Sequence, residues 1–209
     1  QREEDVFVSL LRSIGCEVWD HTPKGDQYRV SFADGYIGGS VDGVAKGIPG
    51  APDTPHLLEF KTHNDKSFKD LKKKGLIESK PAHYAQMQMY MKGLKMTRGV
   101  YMALNKNNEE IYTERVSYDA NVAKEYLGRG IDIVESPVPL PKISNRPDWY
   151  QCKWCNFSAQ CHKGLPLSKN CRTCEYVQLP GAGKWSCGRT NKELSATEQK
   201  NGCEEWKSV

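Results

Sequence analysis

The stretch His56-Leu57-Leu58-Glu59-Phe60-Lys61 decides how the rest of the chain is read. A short apolar run that ends in charge, directly after Pro55, reads as a buried strand. Side chains two apart on a strand share a face, so Glu59 and Lys61 point the same way while Phe60 packs behind. Upstream, Tyr28, Val30 and Phe32 alternate as one strand, Asp34-Gly35 makes a turn, and Ile37 to Ala45 gives a second strand softened by glycines, together a hairpin. Farther back, Val6, Phe7, Leu10, Leu11 and Ile14 recur at helical spacing, and Gly15 closes the helix. Downstream, a basic helix is expected from about Ser67 and a second from Pro81 to Leu94, with Pro81 suited to a first turn. Strands follow at Val100–Leu104 and Ile111–Val116, and Asp119 caps a last helix running to about Val134. The order helix, three strands, two helices, two strands, helix suits an α/β sandwich around one mixed sheet.

A chain of 209 residues has room for one main domain and a small appendage. Pro137, Pro139, Pro141 and Pro147 make a stiff connector over 136–147, which separates an expected core at 1–135 from a cysteine-rich module at 148–209. With 38% hydrophobic and 27% charged residues, and no apolar run near the roughly 18 residues that a membrane span needs, a membrane protein is not expected. No basic segment followed by an apolar run opens the sequence, so the expected location is cytoplasmic. A net charge of +4 is modest, and its placement says more: Lys61, Lys66, Lys69, Lys72, Lys73, Lys74 and Lys80 fall close together against few acids. They form either a phosphate-facing patch or a solvated helix face.

Asp42 lies in Gly38-Gly39-Ser40-Val41-Asp42-Gly43, one strand before Glu59 and Lys61, so three polar groups can converge. Hydrolysis of a phosphodiester near neutral pH calls for Mg2+ or Mn2+ on a few hard oxygen ligands, in reach of both the attacking water and a phosphate oxygen. Asp42 and Glu59 can supply those oxygens, with the Phe60 carbonyl as a further ligand, and Lys61 can orient the water and offset negative charge as it builds. Small residues at Gly38, Gly39 and Gly43 would let a nucleic-acid backbone approach. The bland alternative is a surface Glu/Lys pair beside an unrelated turn aspartate. His83, Gln86 and Tyr90 form one polar stripe on the second helix, suited to holding a phosphate or fixing Lys61, while Met87, Met91 and Leu94 face the core.

The succession Gly39...Asp42, Glu59-Phe60-Lys61, Gln86-x3-Tyr90 resembles the PD-(D/E)xK nuclease superfamily, in particular its RecB-like and phage exonuclease branches. The resemblance spans about Val6 to Leu104, and the run from Glu59 to Phe68 looks like phage-encoded members. It implies a restriction-endonuclease-like core, in which a central mixed sheet is flanked by helices. It also implies that Asp42 and Glu59 bind the divalent metal, that Lys61 is catalytic, and that Gln86 and Tyr90 assist. An acid on the first helix would correspond to Glu3 or Glu4, with Glu4 favoured, and the proline that the motif is named for is absent before Asp42. The expected activity is a Mg2+-dependent DNA exonuclease of phage-type recombination or DNA processing. Its expected DNA contacts are Lys66, Lys69, Lys72, Lys73, Lys74 and His83, and its expected partner is a single-strand annealing recombinase in the bacterial host cytoplasm. An endonuclease or nickase with the same site and a non-catalytic, zinc-bearing DNA-binding module are the rivals.

Seven of the eight cysteines lie between Cys152 and Cys203, and C-x2-C pairs without a secretory signal favour metal ligation over disulfides. Cys152-x2-Cys155-x5-Cys161, with Phe157 as a packing anchor, resembles the segment of RecB-like and CRISPR-associated nucleases that joins an early cysteine around a [4Fe-4S] cluster. Cys16 is the early cysteine available, unless it is an inert core residue and His162 completes a zinc site instead. Cys171-x2-Cys174, Cys187 and Cys203 read separately as a structural Zn2+ site, which could supply folding energy to a small C-terminal module.

Overall fold

The structure, a computed structural model, describes residues 2–209. Its first helix, α1 (Arg2–Ser13), carries Glu3, Glu4 and Asp5 in the first turn, where carboxylates favour the positive end of the helix dipole. It buries Phe7, Val8 and Leu11, whereas Val6, Leu10 and Ile14 are exposed. The buried stripe is therefore narrower than the apolar spacing suggested. Leu10 and Ile14 lie one face over, on a 420 Å³ recess shared with Ile48, Val100 and Met102. Gly15 ends the helix at φ 90°, a conformation other residues rarely adopt.

The chain continues through β1 (Glu17–Trp19), β2 (Tyr28–Phe32), β3 (Ile37–Val41), β4 (Gly43–Lys46) and β5 (His56–His63). Two helices follow, α2 (Asp65–Ser79) and α3 (Pro81–Leu94), then β6 (Arg98–Asn105), β7 (Ile111–Ser117) and α4 (Ala120–Glu135). Five strands form a mixed sheet in the order β1-β4-β5-β6-β7, with β5 antiparallel to β4 and parallel to β6. A parallel pair needs a crossover, which α2 and α3 supply. The result is the expected α/β core, a central mixed sheet flanked by helices.

Alternation along β5 sorts its side chains onto two faces. Leu58 and Phe60 join Val100, Met102 and Cys16 in the core under α1, where the Phe7 and Phe60 rings stack at 5.0 Å. Leu57 joins Tyr101 and Ala103 against Phe68, Leu71, Met87 and Met91 from α2 and α3. Glu59, Lys61 and His63, in register with Leu57, consequently face the α2 and α3 side. The segment expected as one strand from Ile37 to Ala45 is two. β3 pairs with β2 in a separate ribbon and β4 enters the main sheet, with Asp42 at the changeover. At three residues β1 is too short to show a periodicity in the sequence. Asn64 caps α2 by accepting the Ser67 N–H at 2.9 Å, which starts the helix slightly before the expected Ser67, and Gly75 breaks its regularity at φ 74°.

The chain divides into two compact units, one comprising residues through Phe32 with Gly38–Arg129, the other Ala33–Ile37 with Gly130–Val209. The second unit contains α5 (Tyr150–Lys153), α6 (Ser158–Lys163), a 3-10 turn at Cys171–Thr173, β8 (Val177–Gly181), β9 (Lys184–Cys187), β10 (Lys192–Glu193) and α7 (Ala196–Asn201). Strands β8, β9 and β10 form an antiparallel sheet, and Ser195 and Glu198 make a capping box on α7. The turn between β8 and β9 is gripped by Asp34, whose carbonyl accepts the Gly183 N–H at 2.7 Å and whose carboxylate accepts the Ala182 N–H at 2.8 Å. Tyr36 completes the grip, accepting the Gly181 N–H at 2.8 Å and donating to the Lys184 carbonyl at 2.7 Å. Backbones meet so closely there that a Cβ on Gly35 would fall 2.7 Å from the Gly183 nitrogen. Among the described residues, no helix is long and apolar enough to cross a membrane.

Candidate active site

Glu59 is wholly buried in the middle of β5. One carboxylate oxygen, Oε1, accepts from the Lys61 ammonium, and the other, Oε2, is buried with no hydrogen-bond partner among the described residues. Burial pushes its carboxyl up to about 7, against the opposing pull of Lys61 and with a further push from Asp42. Removing a carboxylate from water and leaving an oxygen unpaired is costly unless a cation arrives to meet it.

Asp42 is positioned by the strand changeover. Its Oδ2 accepts the Phe60 backbone N–H at 2.7 Å, which ties the β3–β4 junction to the centre of β5. Burial raises its pKa, the Phe60 N–H and Lys61 pull the other way, and the nearby carboxylate of Glu4 raises it further. Asp42, Glu59, Lys61 and Glu4 are thus within electrostatic reach of one another, all in the first unit. Glu3 and Glu4 also line a 240 Å³ recess with Phe60, Lys61 and Thr62, which puts the acids of α1 beside β5. A buried carboxylate with an unpaired oxygen, beside a half-buried one, matches the hard-ligand chemistry of Mg2+ or Mn2+.

Helix α3 delivers the polar stripe to the same place. Gln86 donates to the Tyr90 hydroxyl at 3.2 Å, and Tyr90 feels Glu59, Lys61 and Asp42, with burial the largest cause of its raised pKa. Gly39 makes room for that ring, since a Cβ there would lie 2.4 Å from the Tyr90 hydroxyl. The glycine therefore serves a side chain of the protein itself.

His83 of the stripe leads to residues that the sequence reading did not single out. The Tyr101 hydroxyl sits 2.9 Å from both His63 Nε2 and His83 Nδ1, and Ser67 Oγ lies 3.2 Å from His63 Nδ1. A hydroxyl donates one proton, so Tyr101 gives to one imidazole and accepts from the other. The ring that accepts must be neutral, and burial favours the neutral form of the other. Burial, followed by Lys61, holds His83 down to about 4, and burial also lowers His63. Tyr101 is the register partner of Glu59 across β5 and β6, and its own pKa is raised by burial first. Pairing register, which is absent from the linear sequence, is what brings this relay to the lysine.

The lysines of α2 are less free than their spacing implied. Lys69 pairs with Asp65 at 2.7 Å and Lys74 with Asp70 at 2.9 Å, both one helical turn apart, and Lys72 pairs with Glu110 from the turn before β7. Lys66 and Lys73 are in no ion pair among the described residues. Cys16 is buried among Phe7, Leu11, Val18 and Leu58 as an apolar core residue. In the second unit Cys152 is buried while Cys155 and Cys161 are exposed, and Phe157, expected as a packing anchor, is 66% exposed. The reason is local: the Phe157 N–H turns back to donate to Cys155 Sγ at 3.4 Å, and its ring is left outside. Among the described residues, no three His, Cys, Asp or Glu side chains are already set around a cation position.

Neither a protein-family model nor a curated protein matches the chain. Among solved structures it is similar to SSO0001, with 17% identity and a TM-score of 0.42 over 76% of this chain and 66% of that one. It is also similar to an alkaline exonuclease from Laribacter hongkongensis, with 19% identity and a TM-score of 0.47 over 62% of this chain and 61% of that one. The complex of that exonuclease with dAMP gives 16% identity and a TM-score of 0.44 over 63% and 62%. The chain spans less than two thirds of the length of each of these proteins.

Proposed function

We propose that the first unit is a Mg2+- or Mn2+-dependent deoxyribonuclease with its centre at Asp42, Glu59 and Lys61. The observation that carries this reading is the unpaired Oε2 of a fully buried Glu59, placed with a second, half-buried carboxylate and a lysine. A structural Glu/Lys pair would bond both carboxylate oxygens or leave them in water. Asp42 and Glu59 would hold the ion, with the Phe60 carbonyl and Glu4 as further oxygen donors, and Asp42 keeps Oδ2 on the Phe60 N–H while offering its other oxygen. A bound divalent ion would lower the pKa of a water and polarise the phosphate.

The chain's own groups do the rest. Lys61, held on the same face of β5, contributes an ammonium to the charge that develops on the phosphate oxygens. Tyr90 and Gln86 offer neutral donors that orient the phosphate or Lys61 without competing for the metal. The neutral His63–Tyr101–His83 relay fixes the floor behind Lys61 without adding positive charge. Cleavage from a free end is the mode we favour, on the sequence resemblance to phage exonucleases.

Purified chain with linear duplex DNA and Mg2+ should release nucleotides, EDTA should stop it, and Asp42→Ala should abolish it. Activity unchanged in Asp42→Ala refutes the site. Digestion of closed circular DNA would assign an endonuclease or nickase, and binding without metal-dependent cleavage a non-catalytic module.

A further inference from the structure

The second unit lacks an apolar core: its only fully buried hydrophobic residues, among those described, are Cys152 and Cys174. Apolar burial on that scale does not offset the conformational entropy of ordering several dozen residues. Yet residues 171–209 hold a specific arrangement. Cys174 bridges to Ser208, Val177 pairs with Cys187, and Trp206 donates to the Thr173 hydroxyl at 3.2 Å. These links bring cysteines from the 3-10 turn, the end of β9 and the segment after α7 onto one 240 Å³ recess, lined by Cys171, Cys174, Cys187 and Cys203 with Val177 and Leu194. None of the four forms a disulfide.

We propose that Cys171, Cys174, Cys187 and Cys203 bind one Zn2+ through four thiolates, and that this ion takes the place of a core in the second unit. Binding exchanges up to four thiol protons for the ion and leaves a net charge of about −2 on the centre. Arg189, which also lines the recess, is paired there with Glu205, so the two together add no net charge beside the centre. Thr190 lines the recess with Cys187 and carries a hydroxyl donor of the kind that supports a metal-bound thiolate. Cys171 donates its thiol proton to the Glu198 carbonyl at 3.3 Å, a bond given up when the sulfur ionises. The thiols line the recess without closing on its centre, so ligation draws them inward.

The test uses the full chain, prepared in zinc-supplemented medium without chelator, and does not depend on the nuclease reading, since Asp42→Ala should carry the same metal. With Cys152, Cys155 and Cys161 all changed to Ser, one zinc per chain should remain, and X-ray absorption should show four sulfurs at about 2.3 Å. Adding Cys187→Ser and Cys203→Ser should remove that zinc. Should those changes unfold the unit, the wild-type chain serves: a strong chelator should expose residues 165–209 to protease, and zinc should restore protection. Iron with acid-labile sulfide at these four cysteines, a first shell containing nitrogen or oxygen, or protection indifferent to chelator would overturn the assignment.

Discussion

Replacing Glu59 by Gln should make the metal-free protein more stable above neutral pH while destroying its activity. Burial lifts this carboxyl from 4.5 to about 7, so between those values the folded chain keeps a proton that the unfolded chain releases. A raised carboxyl pKa means that native stability falls as pH rises through that window. At about 1.4 kcal/mol per pKa unit, the shift from 4.5 to about 7 amounts to about 3 kcal/mol by the time the group is fully ionised. Glutamine keeps the shape without the charge, and Lys61, whose side chain is 26% exposed, can be solvated when its partner is neutral. Urea unfolding in EDTA, run on both proteins across pH 5 to 8, centres on this group because titrations not coupled to it cancel in the difference. The stability of Glu59→Gln relative to wild type should climb by about 3 kcal/mol over the titration, most of it within that range. Mg2+ should then raise the midpoint of the wild type alone. A flat difference curve, or a variant that weakens as pH rises, would refute the claim that an unpaired carboxylate is held there for a cation.

Three further outcomes follow from the same geometry. Lys61→Met should lower kcat by about 10²- to 10⁴-fold while calorimetry still detects Mg2+ binding, because the lysine answers developing charge and supplies no ligand. Tyr101→Phe removes the hydroxyl shared by His63 and His83. It should cost about 1–3 kcal/mol in denaturant unfolding, a loss that Phe at a surface tyrosine would not show. Gly39→Ala puts a methyl group 2.4 Å from the Tyr90 hydroxyl, so nuclease assays should show reduced activity, and Tyr90→Phe in the same background should not restore it because the Tyr90 ring carbons at 2.6 and 2.8 Å still clash.

How much of this was legible in the sequence depended on distance along the chain. Glu59 and Lys61 share a strand and Gln86 and Tyr90 share a helix turn, so period alone places each pair. Joining the pairs took the resemblance to known nucleases, because nothing local says that α3 crosses the face of β5 bearing Glu59. Tyr101 and His63 stayed hidden for the same reason, one lying in an apolar strand and the other in a polar tail, because only the pairing of β5 with β6 brings their side chains within reach. The pairing of the α2 lysines was legible only in part. Their i,i+4 partners Asp65 and Asp70 stood in plain view, whereas Glu110 reaches Lys72 only through the fold. Splitting Ile37 to Ala45 at Asp42 was equally non-local, since the break is held by a backbone amide of β5.

Among the buried polar groups of the first unit, Glu59 stands apart. Gln88 donates to the Ser117 carbonyl at 3.1 Å and accepts the Asp119 N–H at 2.7 Å, thereby fixing the entry to α4. Asn105 accepts the Asn107 N–H at 3.1 Å and donates to Asp65 at 3.3 Å, closing the turn after β6. His56 does leave Nε2 unpaired, but burial lowers its pKa and keeps the ring neutral, with Nδ1 bound to the Thr54 carbonyl at 2.8 Å. A neutral acceptor without a donor is a modest cost, whereas Glu59 approaches ionisation at neutral pH with an oxygen that no described residue satisfies. Selection for stability alone would replace that carboxylate with glutamine or leucine. Its place at the centre of β5, beside Asp42 and Lys61, is what the proposed divalent ion would account for.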